Sequence, residues 1–66
     1  MAISIGDIVL FKRDVRYLTE DRIEIWEHGL VVDCFTDPEP FYREWTVLFD
    51  NELWYIPDDN KWIKEL

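Results

Sequence analysis

Few residues of this sequence could do metal or nucleophilic chemistry. His28 is the only histidine and Cys34 the only cysteine among the 66 residues. A structural zinc site takes about four such ligands in clustered spacing, and a Cys–His nucleophile pair needs both side chains within hydrogen-bond reach. On one straight strand, positions 28 and 34 lie about 20 Å apart at ~3.3 Å per residue. We therefore predict no metal, no cofactor and no catalytic residue, and interpret Cys34 as a small core residue.

Adjacent carboxylates at Asp58 and Asp59 are the remaining group with acid–base potential. They follow Pro57 and precede Asn60, which is the pattern of residues that begin and cap a short helical turn. Negative charge is favourable at such a position because the free N–H groups of the first turn point towards it. We interpret both carboxylates as caps, and expect the protein not to be an enzyme.

Aromatic residues are the feature with the most functional content. Four Trp, four Phe and three Tyr make up 17% of the sequence, and exposed aromatic clusters are typical of interfaces. Acidic residues accompany the rings in two segments that we interpret as loops, a combination that suits a basic or proline-containing peptide or a cation. The alternative is that these rings only close the ends of the core.

The charge balance restricts the class of partner. A formal net charge of -8 and a pI near 4.3 repel phosphate backbones, so we predict no binding of nucleic acid and favour a protein or basic peptide as partner. The alternative is an acidic inhibitor that mimics the charge of nucleic acid towards a host enzyme. No apolar run approaches the ~18 residues of a membrane span, and the start lacks the pattern of a signal peptide, so no membrane partner is expected.

The elements that must position these residues are short β-strands. Runs of β-favouring residues are separated by Gly, Pro, Asp and Asn, which predicts five strands and a hairpin turn near Asn51. A segment from Asp14 to Trp26 without a helical stripe is predicted to be a long loop that folds back as a hairpin arm. The predicted strands are residues 8–11, 30–35, 44–50, those between the turn and Pro57, and 62–66.

Two proline residues predict where the second strand ends, and one alternation pattern predicts the core face of the third and fourth strands. Pro38 and Pro40 are predicted to end the second strand, which places Phe41 and Tyr42 on or beside a loop. Alternation in the third and fourth strands divides their residues between two faces of the sheet. The predicted core face comprises Trp45, Val47, Phe49, Trp54 and Ile56.

Three segments, residues 6–12, 28–33 and 46–66, resemble the small SH3-like barrel proteins encoded by bacteriophages, particularly those of marine cyanobacteria. The resemblance implies an all-β fold, an SH3-like small five-stranded barrel with one short helical turn before the last strand, in a single domain over residues 1–66. Members of that group mostly have unknown functions, and the acidic first loop of this chain departs from their pattern. The resemblance implies a phage origin, and we expect a non-catalytic protein-binding or assembly module, located in the host cytoplasm or associated with the virion. SH3-like barrels bind peptides between the first long loop and the loop after the second strand, so the resemblance implies a binding cluster formed by Tyr17, Trp26, Phe41 and Tyr42.

A surplus of apolar residues predicts self-association. The strands are apolar on both faces, whereas a half-exposed sheet of a monomer should alternate apolar and polar residues. A chain of 66 residues has little loop to cover the second face, so we predict a symmetric dimer. The predicted contact patch is Leu48, Leu53 and Tyr55.

Overall fold

The computed structural model describes residues 3–13 and 25–66, which form five antiparallel strands in one sheet. Within these residues there is no helix. The predicted all-β, five-stranded fold is confirmed. The strands are β1 (Ile8–Lys12), β2 (Trp26–Pro38), β3 (Phe41–Phe49), β4 (Glu52–Pro57) and β5 (Ile63–Glu65).

The sheet is barrel-like but not closed. Its strand order is β4-β3-β2-β1-β5, so that β2, β3 and β4 form successive hairpins and β5 returns to pair with β1. Consequently β4 and β5 form the two edges of the sheet. The backbone groups on an edge strand's outer side have no partner in the sheet, which makes such an edge available for pairing with another segment.

One core lies on the inner face of this sheet. Side chains from β1, β2, β3, β4 and β5 all contribute to it, which shows that the sheet curves around a single apolar centre. The predicted core face is confirmed: Trp45, Val47 and Ile56 are buried, and Phe49 and Trp54 pack against them. The fully buried members of the core are Val9, Phe11, Val31 and Val47.

Gly29 of β2 shows how tightly the inner face is packed. It pairs with Val9, so a side chain at this position would point into the core. A Cβ atom here would overlap Val47 and lie 2.9 Å from Phe11 Cε1. Because Gly29 has no side chain, Phe11 of β1 and Val47 of β3 can both pack against its Cα.

The hairpin between β3 and β4 turns at Asp50 and Asn51, whose φ angles are 52° and 62°. Positive φ at both central residues defines a type I′ turn, whose twist matches that of the flanking strands. Phe49 pairs with Glu52 immediately outside it. The predicted turn near Asn51 is confirmed.

The hairpin between β2 and β3 is longer than predicted. The prediction that β2 stops at Phe35 is wrong, because β2 continues to Pro38 and pairs there with Phe41. Phe41 and Tyr42 therefore lie in β3 and not in a loop. The prolines do not interrupt the ladder, because Pro38 is the last residue of its strand and Pro40 lies in the turn, where no ladder donor is required.

The connection from β4 to β5 is a turn with helix-like hydrogen bonds. The C=O of Asp59 accepts from Trp62 N–H at 2.8 Å and from Ile63 N–H at 3.0 Å, and Asp59 Oδ1 accepts from Lys61 N–H at 2.9 Å. Asp59 thus caps this turn as its sequence position indicates, whereas Asp58 Oδ1 accepts from Trp45 Nε1–H and does not cap the turn. The predicted loop runs from Asp14 to Trp26. Residues 14–24 lie outside the described residues, and Trp26 begins β2.

Candidate binding surfaces

A groove of about 500 Å³ lies between β3, the β4–β5 connection and β5. We call it the β5 groove. Its floor contains the core residues Trp45 and Ile63, and charged side chains form its rim. The lining residues are Ile3, Arg43, Trp45, Asp58, Asn60, Ile63, Lys64 and Glu65.

A second, smaller cavity of about 240 Å³ adjoins the β5 groove. Arg43 and Asp58 line both cavities, so the two share a wall. The second cavity adds Phe41, Tyr42 and Pro57 to this surface. Half of the predicted aromatic cluster therefore lies beside the β5 groove.

Asp58 fixes the shared wall to β3. Its Oδ1 accepts a hydrogen bond from Trp45 Nε1–H at 3.0 Å, and its backbone N–H donates to the C=O of Arg43 at 2.9 Å. Asp58 Oδ2 lies 4.0 Å from Arg43 Nη1. Because both the side chain and the backbone N–H of Asp58 bond to β3, the β4–β5 connection is held close to that strand.

Negative charge predominates along the two cavities taken together, although two acidic and two basic residues line the β5 groove itself. Carboxylates of Asp58, Asp59 and Glu65 lie along the two cavities, and the guanidinium of Arg43 opposes them. The ammonium of Lys64 is directed elsewhere, since Lys64 Nζ lies 4.1 Å from the centroid of the Trp26 ring. Glu65 Oε1 is buried without a hydrogen-bond partner, so one acceptor at this surface is not satisfied.

Phe41 and Tyr42 are both exposed, by 65% and 41% respectively. The guanidinium of Arg43 lies 5.5 Å from the Phe41 ring centroid, and Tyr42 OH donates to Glu44 Oε2 at 2.8 Å. This hydrogen bond, with smaller contributions from desolvation and from the charge of Glu44, raises the pKa of Tyr42 above its usual 10.0. The Tyr42 hydroxyl therefore remains a hydrogen-bond donor throughout the neutral range.

The structure does not place Trp26 beside Phe41 and Tyr42. Trp26 begins β2 and pairs with Lys12, whereas Phe41 pairs with Pro38 at the other end of β2. The Trp26 ring instead contacts cations, with Lys12 Nζ at 5.8 Å and Lys64 Nζ at 4.1 Å from its centroid. Tyr17 lies outside the described residues, so a binding role for the whole cluster stays a prediction.

An apolar row crosses the outer face of the sheet. The strand register pairs Ile8 with Leu30, Leu30 with Leu48, and Leu48 with Leu53. These side chains therefore stand side by side on four consecutive strands, and we call them the outer row. Ile8 is 48% exposed, Leu48 37% and Leu53 53%. Tyr55, two residues beyond Leu53 on the same face of β4, is 63% exposed.

The predicted contact patch and the outer row overlap. Leu48 and Leu53 belong to both, and Tyr55 adjoins them. Ile8 and Leu30 were missed as members of this surface, because alternation within a strand does not tell which residues of other strands lie opposite. Arg43 and Glu65 were missed at the β5 groove, since that groove exists only where β3, β5 and a connection meet.

The residues first considered for chemistry are separated in the structure. His28 lies on the outer face opposite Leu10, and Cys34 lies half-buried against the core. In the described part of the chain, no group of three or more His, Cys, Asp or Glu residues is arranged to hold a metal ion. No helix within those residues is long and apolar enough to cross a membrane.

Comparison of this chain with protein-family models, with curated proteins and with solved structures finds no match. We therefore infer its function from its own surfaces.

Proposed function

We propose that this protein is a non-catalytic assembly module that binds other protein surfaces through the outer row, with a second copy of itself as the partner. The observation that carries the proposal is the unbroken register of Ile8, Leu30, Leu48 and Leu53 across four strands. Neighbouring strands lie about 4.8 Å apart, so the row extends over roughly 15 Å. An exposed contiguous patch of this kind is typical of interaction sites.

Burial of the outer row is energetically favourable. Removal of apolar surface from water contributes about 25 cal/mol per Å². Ile8, Leu53 and Tyr55 are each about half exposed or more, so this surface is available for burial. Two sheets that pack face to face stand about 10 Å apart with their side chains interdigitated. The outer row is continuous across four strands, so it can contact the same row of another copy.

A two-fold axis suits this arrangement. In a symmetric dimer the same patch of each copy contacts the other, and the contacts close without leaving a second free patch. The net charge of -8 on each copy opposes association at low salt, because like charges repel over a Debye length of about 10 Å at 0.1 M ionic strength. We therefore expect a dimer that tightens as salt rises.

The test is a comparison of two Leu→Lys variants. Leu53→Lys places a charge within the outer row and should weaken self-association by at least about tenfold, which corresponds to 1.4 kcal/mol. Leu66→Lys makes the same change at a leucine that is 72% exposed and outside the row, and should leave association unchanged. Sedimentation velocity over a concentration series gives the oligomeric state, and circular dichroism checks that both variants keep their strands.

Two results would contradict the proposal. A monomer at high micromolar concentration and high salt would mean that the outer row does not bind a second copy. Equal weakening by Leu53→Lys and Leu66→Lys would mean that net charge, and not the outer row, controls association.

A further inference from the structure

The free edge of β5 borders the β5 groove, and we infer from this geometry that an extended basic peptide binds there as an added strand. The peptide would pair with β5 through its main chain and place alternate side chains in the groove. This site is separate from the outer row, because it uses the inner face and an edge of the sheet. Self-association and peptide binding can therefore be tested independently.

The direction of the backbone groups of β5 supports strand addition. Lys12 N–H donates to the C=O of Trp62 at 2.8 Å, and the register continues by pairing Leu10 with Lys64. Backbone groups of successive residues in a strand point to opposite sides. The C=O of Trp62 and both backbone groups of Lys64 thus point towards β1, whereas the backbone groups of Ile63 and Glu65 point away from it.

Three backbone groups of β5 are suitably placed for a new strand. The N–H of Ile63 donates to Asp59 C=O at 3.0 Å, so that group is occupied. The C=O of Ile63 and both the N–H and the C=O of Glu65 face away from β1. In the described part of the chain, the sheet gives β5 a neighbour on one side only. Main-chain pairing of this kind supplies affinity when a peptide extends a sheet edge.

Specificity would come from the groove beside that edge. Ile63 and Glu65 also point their side chains inward, since β5 residues alternate and Ile63 is buried in the core. The side chains of an added strand alternate in the same way, so every second one would enter the groove beside Trp45 and Asp58. The indole of Trp45 forms an apolar floor, and the carboxylates form the rim.

Charge selects a basic peptide over a second copy of this chain. Carboxylates outnumber cations at the two cavities once Lys64 is directed to Trp26. Glu65 Oε1 is buried without a donor, and a Lys or Arg side chain of the peptide would supply one once the carboxylate turns towards the groove. Another copy, with its own net charge of -8, would be repelled from the same surface.

The binding test uses a fluorescent peptide of alternating Lys and Val residues. Fluorescence anisotropy should show saturable binding that is at least about tenfold tighter than that of a peptide of alternating Glu and Val. Two further peptides repeat the Lys–Val sequence with N-methyl groups on every second amide. In one peptide the methylated amides lie on the edge that faces β5, and in the other they lie on the opposite edge. Methylation of the edge that faces β5 should reduce binding by about tenfold, because it removes main-chain donors and blocks approach.

Two substitutions at the same residue separate main-chain pairing from charge. Glu65→Ala keeps the N–H and removes the carboxylate, whereas Glu65→Pro removes both. That N–H points away from β1, so proline at this edge position does not remove a β1–β5 hydrogen bond. We expect Glu65→Pro to bind the Lys–Val peptide several-fold more weakly than Glu65→Ala, with both variants keeping the thermal midpoint of unfolding within a few degrees of each other.

Nuclear magnetic resonance of the unmodified protein locates the site. On addition of the Lys–Val peptide, the amide signals of Ile63, Lys64 and Glu65 should shift most, and those of Leu48 and Leu53 should not. The inference is wrong if N-methylation has no effect, if Glu65→Pro and Glu65→Ala bind equally, or if the shifts fall on the outer row. If the signals of residues 63–65 shift with protein concentration and not with peptide concentration, the occupant is a second copy of the chain. That result would also overturn the inference.

Discussion

The outer row and the β5 groove are two surfaces of one small sheet with opposite properties. The outer row is apolar, crosses four strands and consists of side chains aligned by register. The β5 groove is concave, borders a three-residue edge strand and combines an indole with charged side chains, two of them carboxylates. One surface offers side chains to another face, and the other offers backbone groups to another strand.

This difference shows how a chain of 66 residues can support two kinds of contact with one core. A sheet that is not closed keeps both a convex face and an edge available, whereas a closed barrel has no edge. The centre of the inner face is filled by packing, since a Cβ atom at Gly29 would overlap Val47. Binding surfaces are therefore left to the outer face, to the edges of the sheet and to the groove beside β5.

The largest effect is expected from Gly29→Ala, which should damage both surfaces together. A methyl group would overlap Val47 and approach Phe11, and overpacking of this kind costs about 1–3 kcal/mol. Chemical denaturation should show a lower midpoint with an unchanged slope. The control is Leu30→Ala, a change at the neighbouring residue on the outer face, which should lower the free energy of unfolding of the monomer by less. If Gly29→Ala lowers it by the same amount as Leu30→Ala or by less, the packing argument is contradicted.

Salt should separate the two surfaces in opposite directions. Raising NaCl from about 0.05 M to about 0.5 M shortens the Debye length several-fold. Self-association through the outer row should tighten because repulsion between two acidic copies is screened, and binding of the Lys–Val peptide should weaken by about tenfold. Sedimentation and anisotropy on the same samples measure both. Movement of both affinities in one direction would show that the surfaces are not electrostatically distinct.

Asp58→Ala should affect the β5 groove and leave the outer row intact. It removes the acceptor of Trp45 Nε1–H, 3.0 Å away, and a typical hydrogen bond contributes about 1 kcal/mol to the free energy of unfolding. We expect a loss of that order, weaker peptide binding and unchanged self-association. Glu52→Ala makes the same charge change at an exposed residue away from the groove, and should leave both peptide binding and stability nearly unchanged.

The smallest effect concerns the ionisation of Tyr42. The hydrogen bond from its hydroxyl to Glu44, with desolvation and the Glu44 charge, raises its pKa above 10.0. A raised pKa means that the folded state favours the protonated hydroxyl, so this contribution to stability is present at neutral pH and is lost as the pH rises through the raised value. Glu44→Ala should return the pKa towards 10.0 in a titration followed by the ring signals of Tyr42; an unchanged titration would exclude Glu44 as the cause.

Local patterns in the sequence determined the strand count, the turn and the core face. Positive φ at Asp50 and Asn51 suits residue types that tolerate it, and alternation alone separates Trp45 and Val47 from Leu48. The same local reasoning was wrong about the end of β2, because a proline stops a strand only when its missing N–H falls within the ladder. Pro38 stands at the last pair of its hairpin, which the sequence does not disclose.

Only the tertiary structure decided which residues share a surface. Ile8 and Leu30 join Leu48 and Leu53 through the register of separate strands, and register depends on pairings between residues far apart in the chain. Arg43 and Glu65 meet at one groove for the same reason. Alternation depends on neighbours along the chain and is visible in the sequence, whereas an edge or a groove depends on which strands remain unpaired after the whole sheet has formed.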